Sequence, residues 1–242
     1  MAKFLIQTIN GQIRHDFSFA LVEAIDYQNW FRAGSHDYVL SDNVKTGDFS
    51  DYVPVGSIQF VRAFLEEYYQ KSEMHPINIP VELQGEAFVK RPIHYVTKDE
   101  AIYRFEGRGE EYFVKSLSSL KGYTGITKTF RDVPEVDLMV SPVIPIGSEW
   151  RCFVYNSKVV GLHNYLGEIF SYPDKEFILE AVKAYKNAPP AYTLDVGVSK
   201  DRGTFIIEVH NFYSCGLYGF NDSRILPQMF IQGYRHLLKH KI

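Results

Sequence analysis

The sequence predicts an α+β fold in which helices and strands follow one another without a regular repeat. Two observations support this class. Apolar residues make up 45% of the 242 residues, which is enough to form a substantial core. Segments that alternate apolar and polar residues, as strands do, are interspersed with segments whose apolar residues fall at helical spacing.

Composition and charge exclude several classes of protein. The net charge of -3 argues against a protein whose main task is to bind nucleic acid, because the phosphate backbone attracts basic proteins. The only cysteines, Cys152 and Cys215, are too few for a disulfide framework or a zinc site. No apolar run approaches the roughly 20 residues that cross a bilayer. Polar Gln7 and Asn10 interrupt the apolar run after Lys3, unlike in a signal peptide. We therefore expect a soluble, cytoplasmic protein without a membrane partner.

The N-terminal part begins with a predicted strand over residues 3–8, whereas residues 10–55 show no clear periodicity and are expected to be irregular. Ser57 is a typical N-cap residue and predicts a helix immediately after it. The prolines of segment 75–80 end that helix and predict an extended linker. We therefore expect a separate N-terminal region over residues 1–80. The apolar residues at helical spacing are Ile58, Val61, Phe64, Leu65 and Tyr68.

Beyond the linker, turn residues separate a series of shorter predicted elements. Asn156-Ser157-Lys158 joins two alternating segments into one hairpin, and a polar turn ending at Gly203 joins two more. Pro173 suits the first turn of a helix, where its missing N–H would have no partner. In order, the predicted elements are a strand over 111–115, a loop over 116–125, a strand over 138–146, a hairpin over 149–165, a helix after Pro173, a hairpin over 192–210 and a helix from Asp222 or Ser223 towards Lys239.

The hairpin over residues 192–210 carries the strongest chemical signal. Because side chains alternate between the faces of a strand, Asp195 lies on the face opposite its apolar neighbours, and Glu208 shares a face with His210. Antiparallel pairing of the two strands would bring Asp195 and Glu208 together on one side of a sheet. Two carboxylates so close repel each other unless a cation lies between them, so the pattern predicts a Mg²⁺ site.

Two basic residues in predicted strands indicate a phosphate ligand. Arg151 is costly to bury unless it is paired, and its planar guanidinium suits phosphate; the alternative is an ordinary solvent-facing arginine. Lys115 ends a strand directly before the polar loop 116–125, whose backbone N–H groups can cover phosphates; the alternative is a simple turn. The chain contains neither a Walker A pattern nor a dinucleotide-binding fingerprint.

The order of these motifs resembles that of the ATP-grasp superfamily, in particular the divergent clade named for one arginine and two lysines. The resemblance covers roughly residues 85–220. It implies that ATP lies between two α+β lobes, a small lobe over about 81–137 and a large lobe over about 138–242. These lobes form a catalytic domain over 81–242, preceded by an N-terminal α/β region. The segments that carry the resemblance are 149–154, 192–197, 206–211 and 216–220.

The resemblance also implies roles for individual residues. Arg151 and Lys115 correspond to catalytic residues that contact the phosphates, and Asp195 and Glu208 correspond to Mg²⁺ ligands. Residues 116–125 would form a lid over the phosphates. The nucleotide-binding residues that the resemblance implies are Lys90, Lys115, Lys121, Arg151 and, through a backbone that reads adenine, Met139, Val140 and Ser141.

One position departs from the family's metal motif, which is Glu-x-Asn. His210 stands where the asparagine is expected, and Asn211 follows it. Either His210 is the third ligand, or a β-bulge turns Asn211 into the site. A histidine ligand is less usual for Mg²⁺, which prefers oxygen ligands.

The function that the resemblance implies is ATP-dependent ligation of a carboxylate to an amine through an acyl phosphate, with ATP and Mg²⁺ as cofactors. The partners would be small-molecule or peptide substrates rather than nucleic acid. Two alternatives stay open, because a fold does not fix function. One is a phosphotransferase of the kinase type, and the other is a regulatory module that binds nucleotide without ligation.

Overall fold

The structure is a computed structural model that describes residues 1–71, 74–118, 122–134 and 136–239. The strands of this part of the chain form three sheets, which we number in chain order. The first sheet is parallel, and the second and third are antiparallel. Sheets and helices in this arrangement confirm the α+β class. Among the described helices, none combines the length and the apolar character that a bilayer crossing requires.

The first sheet and two helices form the N-terminal region, namely β1 (Ala2–Gln7), α1 (Asp16–Phe31), β2 (His36–Ser41), β3 (Tyr52–Val55) and α2 (Ile58–Tyr69). The strand order is β2-β1-β3. The predicted N-cap is confirmed, because the hydroxyl oxygen of Ser57 accepts a hydrogen bond from the amide of Phe60 at 3.2 Å.

Residues 10–55 are not irregular, because they contain α1, β2 and β3. The period of α1 is hidden by apolar residues on both its buried and its exposed side. Phe17 and Leu21 are buried, whereas Phe19 and Trp30 are 55% and 81% exposed. No side chain caps the start of α1 either, so the usual N-terminal signal is absent from this helix.

The second sheet and its helices follow the linker, namely a 3₁₀ turn (Val81–Leu83), α3 (Glu86–Val89), β4 (His94–Thr97), α4 (Lys98–Phe105), β5 (Tyr112–Ser116), β6 (Thr124–Thr127) and β7 (Asp137–Pro142). The strand order is β4-β7-β5-β6. Strand β7 stops at Pro142, short of the predicted end at 146, because proline lacks the N–H that continues a ladder. Ser116, Thr124 and Gly125 belong to strands rather than to the predicted loop, and residues 119–121 lie outside the described residues.

The third sheet and the last helices are β8 (Ser148–Tyr155), β9 (Lys158–Gly167), α5 (Lys175–Ala184), β10 (Ala191–Ser199), β11 (Gly203–Asn211) and α6 (Leu226–Lys239). The strand order is β11-β10-β8-β9, and both predicted hairpins are confirmed. Asn156 and Ser157 form the first turn with φ of 47° and 59°, the left-handed conformation that such turns require. Asp174 is the N-cap of α5, since its Oδ1 accepts a hydrogen bond from the amide of Phe177 at 2.9 Å, so Pro173 precedes the helix rather than lying in its first turn.

The two faces of the third sheet pack against different parts of the molecule. One face contributes Trp150 and Leu194 to a core that it shares with α5. On the other face, Phe153 joins the core of the N-terminal region. Helix α6 extends that core through its buried Met229. The third sheet therefore lies between α5 and the N-terminal region.

Helix α6 comes very close to the end of the third sheet at Gly233. A Cβ atom at this position would lie 1.9 Å from the carbonyl oxygen of Phe212, the residue that follows β11. No side chain fits in that space without moving the backbone. The close approach therefore fixes the distance between α6 and β11.

We predict that Gly233→Ala lowers the free energy of unfolding by about 1–3 kcal/mol, the usual cost of overpacking. In an isolated helix the same change would be stabilising, because alanine has the higher helix propensity. Urea unfolding of the wild type, Gly233→Ala and the exposed control Arg235→Ala measures the effect. A Gly233→Ala protein as stable as the control would contradict the close packing of α6.

Candidate functional site

Three charged residues lie in one row across the third sheet. Asp195 of β10 is directly opposite Arg151 of β8 on one side and Glu208 of β11 on the other. Directly opposite residues of antiparallel strands place their side chains on the same face. The predicted pairing of Asp195 with Glu208 is therefore present, and Arg151 lies beside it.

The carboxylate of Asp195, a residue that is 1% exposed, is held by Arg151. The guanidinium donates from Nε to Oδ1 at 2.8 Å and from Nη2 to Oδ2 at 2.7 Å. It also donates from Nη1 to the carbonyl oxygen of Gly216 at 2.9 Å. Burial acts to raise the pKa of Asp195, but hydrogen bonds from Arg151 and His210 outweigh it and hold that pKa below its ordinary value. Asp195 is therefore an anion at neutral pH.

Lys115 links the second sheet to the third. It lies near the end of β5 and is 5% exposed, and its ammonium contacts Oε2 of Glu208. An ammonium buried this deeply needs an anionic partner, which Glu208 supplies. The contact brings the lysine predicted to bind phosphate to a carboxylate predicted to bind metal.

The imidazole of His210 lies between the two carboxylates. Its Nε2 is 2.8 Å from Oε1 of Glu208 and 3.4 Å from Oδ2 of Asp195. These three residues each offer a ligand atom, and the atoms lie within 4.8 Å of one another. Divalent cations accept carboxylate oxygens and imidazole nitrogen, so the residues fit a metal ion. We call Arg151, Lys115, Asp195, Glu208 and His210 the charged cluster.

The structure does not bring Asn211 to the charged cluster. Its side-chain amide donates to the carbonyl oxygen of His75 at 3.3 Å. A β-bulge does occur in this hairpin after Asp195, but it precedes Glu208 in β11, whereas Asn211 follows it. From Glu208 onwards the pairing is regular, so the side chain that shares its face is that of His210.

A glycine-bearing segment, residues 214–220, contacts Arg151 of the charged cluster, and we call it the strap. The ring centroid of Tyr218 lies 4.9 Å from the guanidinium carbon of Arg151. Tyr218 has a φ of 49°, which is uncommon for a bulky residue. The amide of Leu217 donates to Oδ2 of Asp16 at 2.7 Å, which attaches the strap to α1.

Tyr165, Tyr218 and Asp16 contact Arg151 or the strap, and the sequence did not predict them as site residues. Tyr165 of β9 stacks on Tyr218 with ring centroids 4.9 Å apart, and its own centroid lies 5.8 Å from the guanidinium carbon of Arg151. Burial, together with the charge of Asp195, raises the pKa of Tyr165. Gly216 and Gly219, which flank Leu217 and Tyr218, are the local sequence pattern that indicates the strap. No local pattern marks Tyr165 or Asp16, because their contacts join distant segments.

Two further residues that were predicted to bind nucleotide, Lys90 and Met139, lie in different places relative to the charged cluster. Lys90 is not brought to the charged cluster: its ammonium lies 5.1 Å from the ring centroid of Phe177. Met139 lies directly opposite Lys115 in the pair of β5 and β7, so these two side chains share a face of the second sheet. Lys121 lies outside the described residues.

The backbone of β7, predicted to read adenine, is largely engaged within the second sheet. Val140 is opposite His94 on one side and Val114 on the other. Among the described strands, Ser141 is paired with β5 alone, because the pairing with β4 stops at Val140. Among the residues predicted to read adenine, Ser141 is therefore the one whose backbone is paired with a described strand on one side only.

The family model that matches this chain is the ATP-grasp domain, family 2 of the clade named for one arginine and two lysines. The match covers residues 88–227, which include the whole charged cluster and the strap. No curated protein matches the sequence.

Solved structures of similar fold cover nearly the whole chain. D-cycloserine synthetase DcsG gives a TM-score of 0.63 at 10% identity, covering 94% of this chain and 98% of its own. D-alanyl-alanine synthetase A from Vibrio cholerae gives 0.55 at 13% identity, covering 97% and 98%. The ATP-grasp ligase PsnB, complexed with minimal precursor, Mg and ADP, gives 0.54 at 11% identity, covering 96% and 97%. At these identities the similarity establishes the fold.

We predict that Arg151→Met lowers the free energy of unfolding by about 3–5 kcal/mol, because it leaves the buried carboxylate of Asp195 without its cation. Adding Asp195→Leu to this variant should recover part of the loss, since the uncompensated charge is then gone. Urea unfolding in metal-free buffer measures both differences.

Arg224→Met is the matched control for this prediction. Arg224 forms an ion pair with Asp222 of the same 2.7 Å length as the pair of Arg151 with Asp195, but its side chain is 80% exposed. Exposed pairs contribute little to stability, so we expect no comparable loss. Equal stabilities of Arg151→Met and Arg224→Met would contradict the structural role of the buried pair.

Proposed function

Because this chain belongs to family 2 of the ATP-grasp domains of the clade named for one arginine and two lysines, we propose that it is an ATP-dependent ligase that joins a carboxylate to an amine. The observation that carries the proposal is the charged cluster. In it, the side chains of Lys115 and Arg151 meet three donors that fit a metal ion, between the second and third sheets. The structures of similar fold include two synthetases and a ligase, which supports ligation over other reactions.

The charged cluster is suited to bind a triphosphate together with a divalent cation. A cation held by Asp195, Glu208 and His210 would neutralise phosphate charge and polarise the transferred phosphoryl group. The Mg in the PsnB complex supports Mg²⁺ as a candidate for that ion. If the carboxylates held such a cation, the N–H groups of Lys115 and Arg151 would be available to phosphate oxygens.

The reaction proceeds in two steps. The terminal phosphoryl group of ATP passes to a substrate carboxylate, so that a bond from phosphorus to the carboxylate oxygen forms and the bond to ADP breaks. The amine then attacks the carbonyl carbon of the acyl phosphate and loses a proton, and phosphate leaves as the amide forms. Arg151 stabilises the negative charge on the transferred group, because its planar fork can hold two oxygens at once.

An acyl phosphate must be kept from water, which would hydrolyse it. The backbone of the strap is attached both to Arg151 and to Asp16 of α1. The rings of Tyr165 and Tyr218 lie beside the guanidinium and limit its exposure. These contacts support a site in which Arg151 meets a substrate oxygen rather than bulk water.

The test is an assay of ATP turnover with pools of carboxylates and amines, and with hydroxylamine as a trap. A ligase should release phosphate only when a carboxylate is present and should convert hydroxylamine to a hydroxamate that mass spectrometry detects. A phosphorylated product that does not react with hydroxylamine would indicate the kinase alternative. Nucleotide binding without turnover would indicate the regulatory module.

We predict that Glu208→Gln lowers kcat about 100-fold or more, because the site loses a charged metal ligand and the anionic partner of Lys115. Glu106→Gln is the matched control, since its side chain is about as buried as that of Glu208, 17% against 21% exposed, and its ion pair is with Arg131, outside the charged cluster. Steady-state kinetics measure kcat, and circular dichroism confirms folding. Full activity in folded Glu208→Gln would refute the metal assignment.

We also predict that Arg151→Lys lowers kcat about 100-fold while it changes the KM for ATP less. Lysine keeps the charge but loses the planar fork that can hold two oxygens of the transferred group. Arg224→Lys, at an exposed ion pair, should match the wild type. If both variants retain wild-type kcat, Arg151 does not contact the transferred group.

A further inference from the structure

We propose that His210 is a metal ligand and that its imidazole makes this site selective for Mn²⁺ over Mg²⁺. The inference rests on the proposed function, because the ion is the one that accompanies the nucleotide. His210 occupies the position at which the family's metal motif carries asparagine, so the donor set of this chain differs in one atom type, nitrogen in place of oxygen.

One of the two distances around His210 equals the edge of a metal coordination shell, and the other is a few tenths of an ångström longer. Ligands in neighbouring positions of an octahedron stand roughly 2.8–3.1 Å apart when the metal–ligand bonds are roughly 2.0–2.2 Å long. The Nε2 atom of His210 lies 2.8 Å from Oε1 of Glu208 and 3.4 Å from Oδ2 of Asp195. Small side-chain adjustments therefore place all three atoms around one ion.

The carboxylates are already oriented towards His210. Glu208 contacts Lys115 through Oε2 and His210 through Oε1. Asp195 uses both oxygens for Arg151, and its Oδ2 also faces His210. The atoms Oε1 and Oδ2 thus both lie close to the imidazole nitrogen, which would be the third donor.

A buried hydroxyl stands opposite His210 in the sheet. Thr193 stands directly opposite His210 in β10 and is 0% exposed. Its Oγ1 atom has no hydrogen-bond partner among the described residues. Directly opposite residues share a face of the sheet, so Thr193 lies on the same face as the charged cluster. The side-chain amide of Asn211 donates elsewhere, to the carbonyl oxygen of His75.

The donor set favours a transition-metal ion over Mg²⁺. Mg²⁺ prefers oxygen and loses its water shell reluctantly, whereas first-row transition ions bind imidazole nitrogen more readily. Zn²⁺ prefers four tetrahedral ligands, which leaves few positions for phosphate oxygens. Mn²⁺ accepts carboxylate and phosphate oxygens and also imidazole, so it satisfies both the protein and the nucleotide.

Electron paramagnetic resonance of the whole protein tests this directly. Mn²⁺ is added with a non-hydrolysable ATP analogue, and spin-echo modulation reports nitrogen atoms bound to the ion. Protein that contains ¹⁵N-labelled histidine separates an imidazole ligand from the nitrogens of adenine. We expect the spin-echo signal of the unlabelled protein to show modulation by nitrogen. In the protein with labelled histidine, a ¹⁵N coupling should replace that modulation.

The variants measure selectivity. His210→Asn recreates the Glu-x-Asn motif, so it should lose the histidine coupling and lower the ratio of Mn²⁺ to Mg²⁺ affinity about tenfold or more. Competition of Mg²⁺ against bound Mn²⁺ gives this ratio. Asn211→Ala should leave both readouts unchanged. His94→Asn is the matched control, because its imidazole contacts Arg104, at 3.3 Å, in the second sheet's region.

The outcomes separate this inference from the proposed function. Wild-type protein that binds Mn²⁺ with the nucleotide but shows no histidine coupling overturns the inference and leaves the ligase proposal standing. This result needs no variant, so it holds even if His210→Asn does not fold. A coupling that persists in folded His210→Asn, or an unchanged affinity ratio, also overturns it. Wild-type protein that binds neither metal–nucleotide complex overturns both proposals.

Discussion

A carboxylate buried within a sheet keeps its charge only if cations hold it, and Asp195 imposes this constraint on much of the structure. Arg151 stands directly opposite it, which ties the charge pair to the register of β8 against β10. A further donor of the same guanidinium binds Gly216, so the path of the chain after β11 depends on it as well. The next residue of the strap, Leu217, is bound by Asp16 of α1. One buried charge is therefore connected to both β-hairpins, the strap and the first helix.

Three parts of the chain meet at the charged cluster, so none of them forms the site alone. The second sheet supplies Lys115, the third sheet supplies the carboxylates, and α1 holds the strap. The predicted boundary at residue 80 divides the chain in sequence, but the core of the N-terminal region continues through Phe212 and Met229. Close contact at Gly233 lets α6 reach that core. The N-terminal region therefore depends on the C-terminal helix for part of its burial.

The sequence predicted what depends on local pattern and missed what depends on distant contacts. Alternation within the hairpin of β10 and β11 places Asp195, Glu208 and His210 on one face, which the register confirms. The partner of Arg151 was not predictable in this way, because Asp195 lies 44 residues along the chain and the sheet register brings them together. Helix α1 was missed because exposed apolar residues such as Trp30 hide its period, whereas α2 has both a cap and a clear apolar stripe.

The proposed function requires the charged cluster to be buried and still able to exchange partners with a ligand. The carboxylates of Asp195 and Glu208 would repel each other alone, and Arg151 and Lys115 hold them in place. These four charges have already lost much of their water when the chain folds. Under the proposed function, a cation bound by the carboxylates would replace Arg151 and Lys115 as their partner, and phosphate oxygens would replace the carboxylates as partners of the two side chains. Each group would then pass from one charged partner to another, so most of the desolvation that the site requires would already have occurred on folding.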